Sequence, residues 1–222
     1  MSYQHRFTDG TAADLPSGKV VCVGRNYAEH ARELNNPIPA EPLLFIKPTT
    51  AVVPLADPIV LLPHRGPVHF ETEIALLIGS TLSGVISEAQ ARAAIVGVGL
   101  ALDLTLRELQ DQLKINGHPW ERAKAFDGAC PLSLFVPSAS VPELDNIGLQ
   151  LQINGETRQQ GNSAQMITPI LTLLCQIATV FTLLPGDVVI TGTPAGVGVL
   201  HAEDSLRLQI PQMLDQSTHV TD

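Results

Sequence analysis

The sequence predicts a β-rich mixed α/β fold assembled from many short strands and few helices. Apolar runs of about four to eight residues recur along the chain, each bounded by proline or glycine, which is how strands read. Leu149-Gln150-Leu151-Gln152-Ile153 alternates with period two and meets Asn154-Gly155, the signature of a tight hairpin that returns through Glu156-Thr157-Arg158. Helical spacing is confined to a few segments that do not alternate regularly with strands, so a regular βαβ succession is not expected.

Each element has its own local reason. Residues 1–17 are polar and irregular and read as an N-terminal extension, leaving 18–222 as a single domain. Lys19-Val20-Val21-Cys22-Val23 is an apolar strand that stops at Gly24. Tyr27 to Leu34 carries helical spacing and ends at Asn35-Asn36-Pro37. Leu43-Leu44-Phe45-Ile46 is a second strand after a proline-rich linker, and Phe70 to Gly79 is a third. Ser87-Glu88-Ala89-Gln90 opens a capped helix. Gly97 and Gly99 interrupt the strand leading to Asp103, which predicts a bulge or close backbone approach. Thr105 to Ile115 reads as a short helix, and Met166 to Leu184 as a buried amphipathic one. Pro185-Gly186-Asp187 turns into Val188-Val189-Ile190-Thr191.

Composition narrows the class. With 222 residues, 45% hydrophobic and 16% charged, the chain can bury a substantial core. A net charge of -9 and no basic cluster argue against nucleic acid as a partner. The apolar run from Met166 to Leu184 is broken by polar residues and Pro169, so no membrane span is expected. No apolar leader follows Met1. Cys22, Cys130 and Cys175 are far apart in apolar contexts, so each reads as a reduced core thiol of a cytoplasmic protein.

The chemistry lies in acids set within apolar strands. In a strand, residues i and i+2 share a face with Cα atoms about 7 Å apart, so Glu71 and Glu73 would point together. Asp103 is a third acid in similar surroundings. Convergent carboxylates are costly unless a positive charge joins them, and an all-oxygen set suits Mg²⁺ or Mn²⁺ better than Zn²⁺. The same pattern also fits two acids on the solvent face of an edge strand. His30 and Glu33 are three apart on one helix and can form a proton-transfer pair, or a plain solvated pair. Arg25, beside Asn26 after the first strand, could meet an anionic substrate, and Lys47 and Lys124 could offset the acids. Arg107 and Gln110 are spaced to face the site from the helix after Asp103. Gly192-Thr193-Pro194-Ala195-Gly196 could hold a carboxylate through its amides and the Thr193 hydroxyl, but it lacks the lysine of a nucleotide loop, so ATP binding is excluded.

Six stretches taken in order make the chain resemble the fumarylacetoacetate hydrolase family, in particular its short acylpyruvase and oxaloacetate decarboxylase-like branch. They are Val23-Gly24-Arg25-Asn26-Tyr27, Leu44-Phe45-Ile46-Lys47-Pro48, Glu71-Thr72-Glu73, Leu102-Asp103-Leu104-Thr105, Lys124-Ala125-Phe126-Asp127 and Thr191-Gly192-Thr193-Pro194. The likeness runs from about Gly18 to Arg207. It implies a β-roll with peripheral helices, a homodimer, and Mg²⁺ or Mn²⁺ on Glu71, Glu73 and Asp103. It also implies His30, Glu33 and Lys124 as catalytic residues, with Arg25, Asn26, Lys47, Arg107, Gln110 and Thr193 around a small keto-acid substrate. The reaction implied is acylpyruvate hydrolysis or oxaloacetate decarboxylation through an enolate that the cation stabilises, with keto–enol tautomerisation or fumarylpyruvate-type isomerisation and hydrolysis as alternatives on the same site. A non-catalytic module around a structural ion is the more distant alternative. A Mg²⁺-dependent phosphohydrolase would want more acids and a basic phosphate grip. The tail after Ile210, with Pro211 and a polar run, departs from the family's closing strand and reads as frayed or altered.

Overall fold

Apolar runs marked in the sequence as strands assemble into three curled sheets around one core in the computed structural model, which describes residues 3–61 and 63–222. In chain order the first strands are β1 (Val20–Gly24), β2 (Leu43–Lys47), β3 (Val52–Pro54), β4 (Ile59–Val60), β5 (Val68–Phe70) and β6 (Thr72–Ile78). Next come β7 (Ile95–Leu102), β8 (Thr105–Leu106), β9 (Cys130–Leu132), β10 (Val136–Pro137) and β11 (Gly148–Ile153). The last are β12 (Glu156–Asn162), β13 (Val188–Ile190), β14 (Gly198–Val199), β15 (Ser205–Ile210) and β16 (Leu214–Thr221). Helices α1 (Ala28–Glu33), α2 (Glu88–Ala94), α3 (Arg107–Ile115), α4 (Glu121–Lys124) and α5 (Ile170–Val180) lie between them. No helix among the described residues is long and apolar enough to cross a membrane.

The largest sheet runs β2-β1-β13-β6-β7-β9-β3, with β10 also on β7. Its centre is the antiparallel pair β6 and β7, in which every side chain of β6 is buried. Such strands, covered on both faces, read as continuous apolar runs rather than alternating ones. Gly99 is required by close approach: a Cβ there would lie 2.8 Å from the Leu134 carbonyl oxygen and from Ser133 Oγ. The pairing of β6 with β7 also shifts register between Leu77 and Ile78, so both forms of irregularity expected around these glycines occur. A second sheet runs β12-β11-β15-β16-β4, and a small third one β14-β5-β8. The hairpin joining β11 to β12 turns at Asn154 (φ 54°) and Gly155 (φ 82°), consistent with the primed turn that matches strand twist.

Several expectations need correction. Thr105 and Leu106 are not helical; they pair with His69 and Val68, and the helix starts at Arg107. The 166–184 helix contracts to Ile170–Val180, because Tyr27 bridges Met166, the Ile167 amide donates to the Asn26 carbonyl, and Pro169 sits at the N-cap. The tail after Ile210 is an ordered strand. It turns at Gln212 (φ 67°), pairs antiparallel with β15 and parallel with β4, and buries Leu214, Thr218 and Val220 on one face. Residues 3–17 lie against the main sheet, with His5 and Ala13 buried and Phe7 bridged to Phe135.

Candidate metal centre and active site

Three buried acids converge where the main and small sheets meet. Glu71 occupies the break between β5 and β6 rather than a strand interior, Glu73 lies on β6, and Asp103 directly follows β7. The Asp103 amide donates to the Glu71 carbonyl at 2.8 Å, which fixes the two segments side by side. One carboxylate oxygen from each acid lies within 4.8 Å of the others, so the solvent-face reading fails.

Three cations surround them. Lys124 Nζ donates to Glu71 Oε2 (2.8 Å), Asp103 Oδ2 (2.7 Å) and Thr105 Oγ1 (2.7 Å). Arg107 bonds Glu71 Oε1 and, at 2.8 Å, Gln110 Oε1. Lys47 Nζ lies 2.8 Å from Asp103 Oδ1 but donates to the carbonyls of Lys124 and Ala129. Burial alone would lift the Glu71 carboxyl, yet Lys124 and Arg107 hold it well below the usual range. Burial would lower the Lys124 ammonium, but Asp103 and Glu71 push it up, so it is a fixed cation. Glu73 differs: burial and the Asp103 and Glu71 charges drive its pKa upward, opposed chiefly by the Gly192 amide at 2.7 Å.

The donor set fits a hard dication. Among the described residues Glu73 has no cation of its own within ion-pair distance, and buried Asp103 Oδ1, though beside Lys47, has no hydrogen-bond donor. The first shortfall is one of charge and the second leaves Asp103 Oδ1 with free lone pairs, so the gap between Glu71, Glu73 and Asp103, where all candidate ligands are oxygens, suits a bound cation. Mg²⁺ or Mn²⁺ suits this chemistry.

His30 and Glu33 come from α1, which covers the cleft. His30 is buried, and its Nδ1 lies 3.2 Å from Glu33 Oε2. Glu33 Oε1 accepts from the Gly196 amide at 2.9 Å, tying the helix to the glycine-rich loop. His30 Nε2 has no protein partner among the described residues, and the His30 side chain lines the cleft with Glu71, Glu73 and Lys124. The free volume there is about 30 Å³. That holds no more than a few waters.

The remaining expected residues divide between wall and scaffold. Arg25, Arg107, Gln110 and Thr193 line the cleft. Asn26 is buried scaffold: its amide bonds the backbone of Thr168 (3.1 and 2.8 Å) and Thr191 (2.9 Å). Gly192 packs on it so closely that a Cβ would lie 2.8 Å from Asn26 Cβ. Lys47 is fully buried behind Asp103 and does not reach the cleft, so it neutralises an acid rather than binding substrate. The Thr193 hydroxyl donates to the Thr72 carbonyl (2.8 Å), which leaves it bracing the acidic strand.

Sequence reasoning missed two polar residues. Gln159, buried on β12, accepts from the Thr72 amide (2.9 Å) and donates to Thr193 Oγ1 (2.8 Å) and the Pro194 carbonyl (2.9 Å). It thereby bolts the Glu71-Thr72-Glu73 segment to the glycine-rich loop. Lys114, on the last turn of α3, lines the cleft beside Trp120. Its spacing of four from Gln110 put it on the right helix face and was the one available signal.

Comparison with known proteins gives the family and the fold. A family model described as fumarylacetoacetate (FAA) hydrolase C-terminal matches residues 19–221. Oxaloacetate tautomerase YcgM of Escherichia coli is 50% identical over 205 residues, covering 92% of this chain and 93% of that protein. The mitochondrial oxaloacetate tautomerase FAHD1 of Bos taurus is 40% identical over 201 residues, 90% of each chain. Among solved structures, fumarylpyruvate hydrolase from Pseudomonas aeruginosa, in complex with Mn²⁺ and pyruvate, superposes with a TM-score of 0.92 at 32% identity. That match covers 99% of this chain and 96% of the other.

Proposed function

The chain belongs to the fumarylacetoacetate hydrolase family, and we propose that it is a divalent-metal-dependent enzyme that interconverts the keto and enol forms of oxaloacetate. Hydrolysis and decarboxylation stood ahead of tautomerisation in the sequence reading. The similarity to relatives named for tautomerisation, up to 50% identity, reverses that order.

One observation carries the reading: of the two candidate proton carriers on the cleft wall, His30 alone has a free nitrogen. Lys124 has its three N–H groups satisfied by Glu71, Asp103 and Thr105, and those acids keep it charged, which removes it as a base. His30 turns Nδ1 to Glu33, which selects the tautomer with its lone pair on Nε2, facing the cleft. In the forward direction Nε2 takes a proton from the carbon between the two carbonyl-bearing groups. The C–H electron pair becomes the carbon–carbon double bond, and the ketone oxygen gains the charge and then a proton. Glu33 supports the imidazolium formed in between. Mg²⁺ or Mn²⁺ held by Glu71, Glu73 and Asp103 would supply Lewis-acid stabilisation of the charge developing on the ketone oxygen. Arg107 is anchored by Glu71 and Gln110, with its guanidinium at the cleft wall to orient a carboxylate.

Hydrolysis of an acylpyruvate or fumarylpyruvate is the second reading. The similarity to a fumarylpyruvate hydrolase in complex with Mn²⁺ and pyruvate supports it. It needs an activated water on the distal carbonyl, which the same histidine could provide. The test is to follow enol–keto equilibration of oxaloacetate by ultraviolet absorbance with Mg²⁺ present, alongside pyruvate release from acetylpyruvate. Tautomerisation well above buffer catalysis, absent in His30→Ala, supports the proposal. Turnover of acetylpyruvate with no effect on oxaloacetate would replace it with the second reading.

A further inference from the structure

The inner charges of the site are balanced: Glu71, Glu73 and Asp103 face Lys47, Lys124 and Arg107. A bound dication would leave an excess of positive charge that one substrate carboxylate only partly neutralises. Yet the cleft carries two more cations nearer its mouth, Arg25 and Lys114, in a protein of net charge -9. Neither belongs to the acidic cluster. Arg25 has no ion pair or side-chain hydrogen bond among the described residues. Lys114 has Asp111, at 3.1 Å, but that acid is 56% exposed and such pairs are weak.

The geometry separates this outer pair from the inner cluster. Lys124 Nζ lies 5.3 Å from the centre of the Phe45 ring, Phe45 meets Trp120 edge-on at 5.9 Å, and Lys114 Nζ lies 5.7 Å from Trp120. Both rings thus line the cleft beside the inner and outer lysines, an apolar wall against which a short carbon chain can pack. The outer arginine is held in an unfavourable backbone conformation, φ 62°, by the clamp that Asn26 makes on Thr168 and Thr191. A non-glycine residue kept at positive φ beside a cleft is a common sign of a side chain that must be aimed. Burial and the neighbouring Arg107 and Arg25 charges also lower the Lys114 pKa, as expected where a cation lacks an adequate anion.

We infer that Arg25 and Lys114 form a second carboxylate subsite, which makes the enzyme selective for 2-oxo acids bearing a distal carboxylate over monocarboxylates. This rests on the proposed reading of the site as one for keto acids. Arg107 and the acidic centre hold the 2-oxo acid end, the Phe45 and Trp120 rings flank the carbon chain, and the outer cations hold the far carboxylate.

The experiment compares two unreactive ligands with the same head, malate and lactate, which differ by the distal carboxylate. Calorimetric titration of the Mn²⁺-loaded wild type, Lys114→Gln and Arg25→Gln reads their affinities, and oxaloacetate turnover is measured in parallel. Malate should bind the wild type more tightly than lactate, and each variant should weaken malate about tenfold while leaving lactate within about twofold. Equal affinity of the wild type for both ligands, no detectable binding of malate, or parallel loss of both ligands in the variants would overturn the subsite. Circular dichroism melting identifies a variant that fails to fold, in which case Lys114→Met and Arg25→Met replace it. Selectivity for malate without oxaloacetate tautomerisation would sink the proposed function and leave the subsite standing. Tautomerisation with unchanged KM in both variants would do the reverse.

Discussion

Replacing Gln159 with leucine tests whether the acidic segment and the glycine-rich loop are one mechanical unit. Leucine roughly matches glutamine in volume, so the change removes hydrogen bonds without opening a large cavity. The Thr72 amide, fully buried, would lose its acceptor at 2.9 Å. An orphaned buried donor costs about 1–3 kcal/mol. The Pro194 carbonyl and Thr193 Oγ1 would each lose an accepted bond at 2.9 and 2.8 Å, but Thr193 keeps its own bond to the Thr72 carbonyl. Those two add about 1 kcal/mol together, partly offset by the more apolar side chain. The net expectation is about 2–3 kcal/mol of lost stability in urea unfolding. Because Gly192 donates to Glu73, loosening the loop should also weaken Mn²⁺ binding, read by calorimetry, by about tenfold. The variant Gln159→Glu keeps an acceptor for Thr72 but sets a buried acid against the Pro194 carbonyl and Thr193 Oγ1, and should cost more than leucine. If Gln159→Leu unfolds within about 0.5 kcal/mol of wild type and binds Mn²⁺ equally well, the bolt is not holding the site.

Further outcomes are expected. His30→Gln should lower turnover by about 10²-fold or more while Mn²⁺ affinity stays near the wild-type value; loss of metal as well would mean the histidine shapes the centre rather than moving the proton. A chelator should abolish activity, Mg²⁺ or Mn²⁺ should restore it, and Glu73→Gln should resist restoration; full activity of metal-stripped protein contradicts the assignment of the acids. Burial lowers the pKa of His5 below its ordinary 6.5 despite its bond to the Gly186 carbonyl, so the unfolded chain binds that proton first. Its contribution to stability is complete above about pH 6.5 and is lost as pH falls through that value towards the folded pKa. Melting temperature should therefore drop less steeply between about pH 7.5 and about pH 5.5 in His5→Gln than in wild type, and equal slopes would refute the assignment.

Much of the site was legible because its signals are local. Acids two apart in an apolar run, a histidine and a glutamate three apart on a helix, and an Asn-Gly turn each depend on a few neighbouring residues. What escaped depends on pairings distant in sequence. Gln159 lies in the polar run Glu156-Thr157-Arg158-Gln159-Gln160, which reads as exposed. Only the register shift between Leu151 and Gln152 sets it opposite the buried Leu151 and turns it inward, to meet partners 34 to 87 residues away. Lys47 likewise sits at a strand end where lysines are usually solvated, and β2's position beside β1 carries it behind Asp103. Thr105-Leu106 and the tail after Ile210 became strands because β5, β15 and β4 offered edges that local propensity could not reveal.

The near balance of buried charge around Asp103 and Glu71 restricts how this sequence can drift. Loss of Lys47 or Lys124 alone would leave the buried acids one cation short of balance, and loss of Asp103 alone would strand Lys47, which has no other acid partner among the described residues, at a penalty of about 3–5 kcal/mol. Neutral paths therefore pass through paired exchanges or through a prior gain of stability elsewhere, so these positions are epistatic with one another. Single-site scanning would rank all of them as equally essential, including Lys47, which does not reach the cleft. Combinatorial libraries that vary Lys47 together with Asp103, scored for folding apart from turnover, would separate residues kept for chemistry from those kept because their partner is.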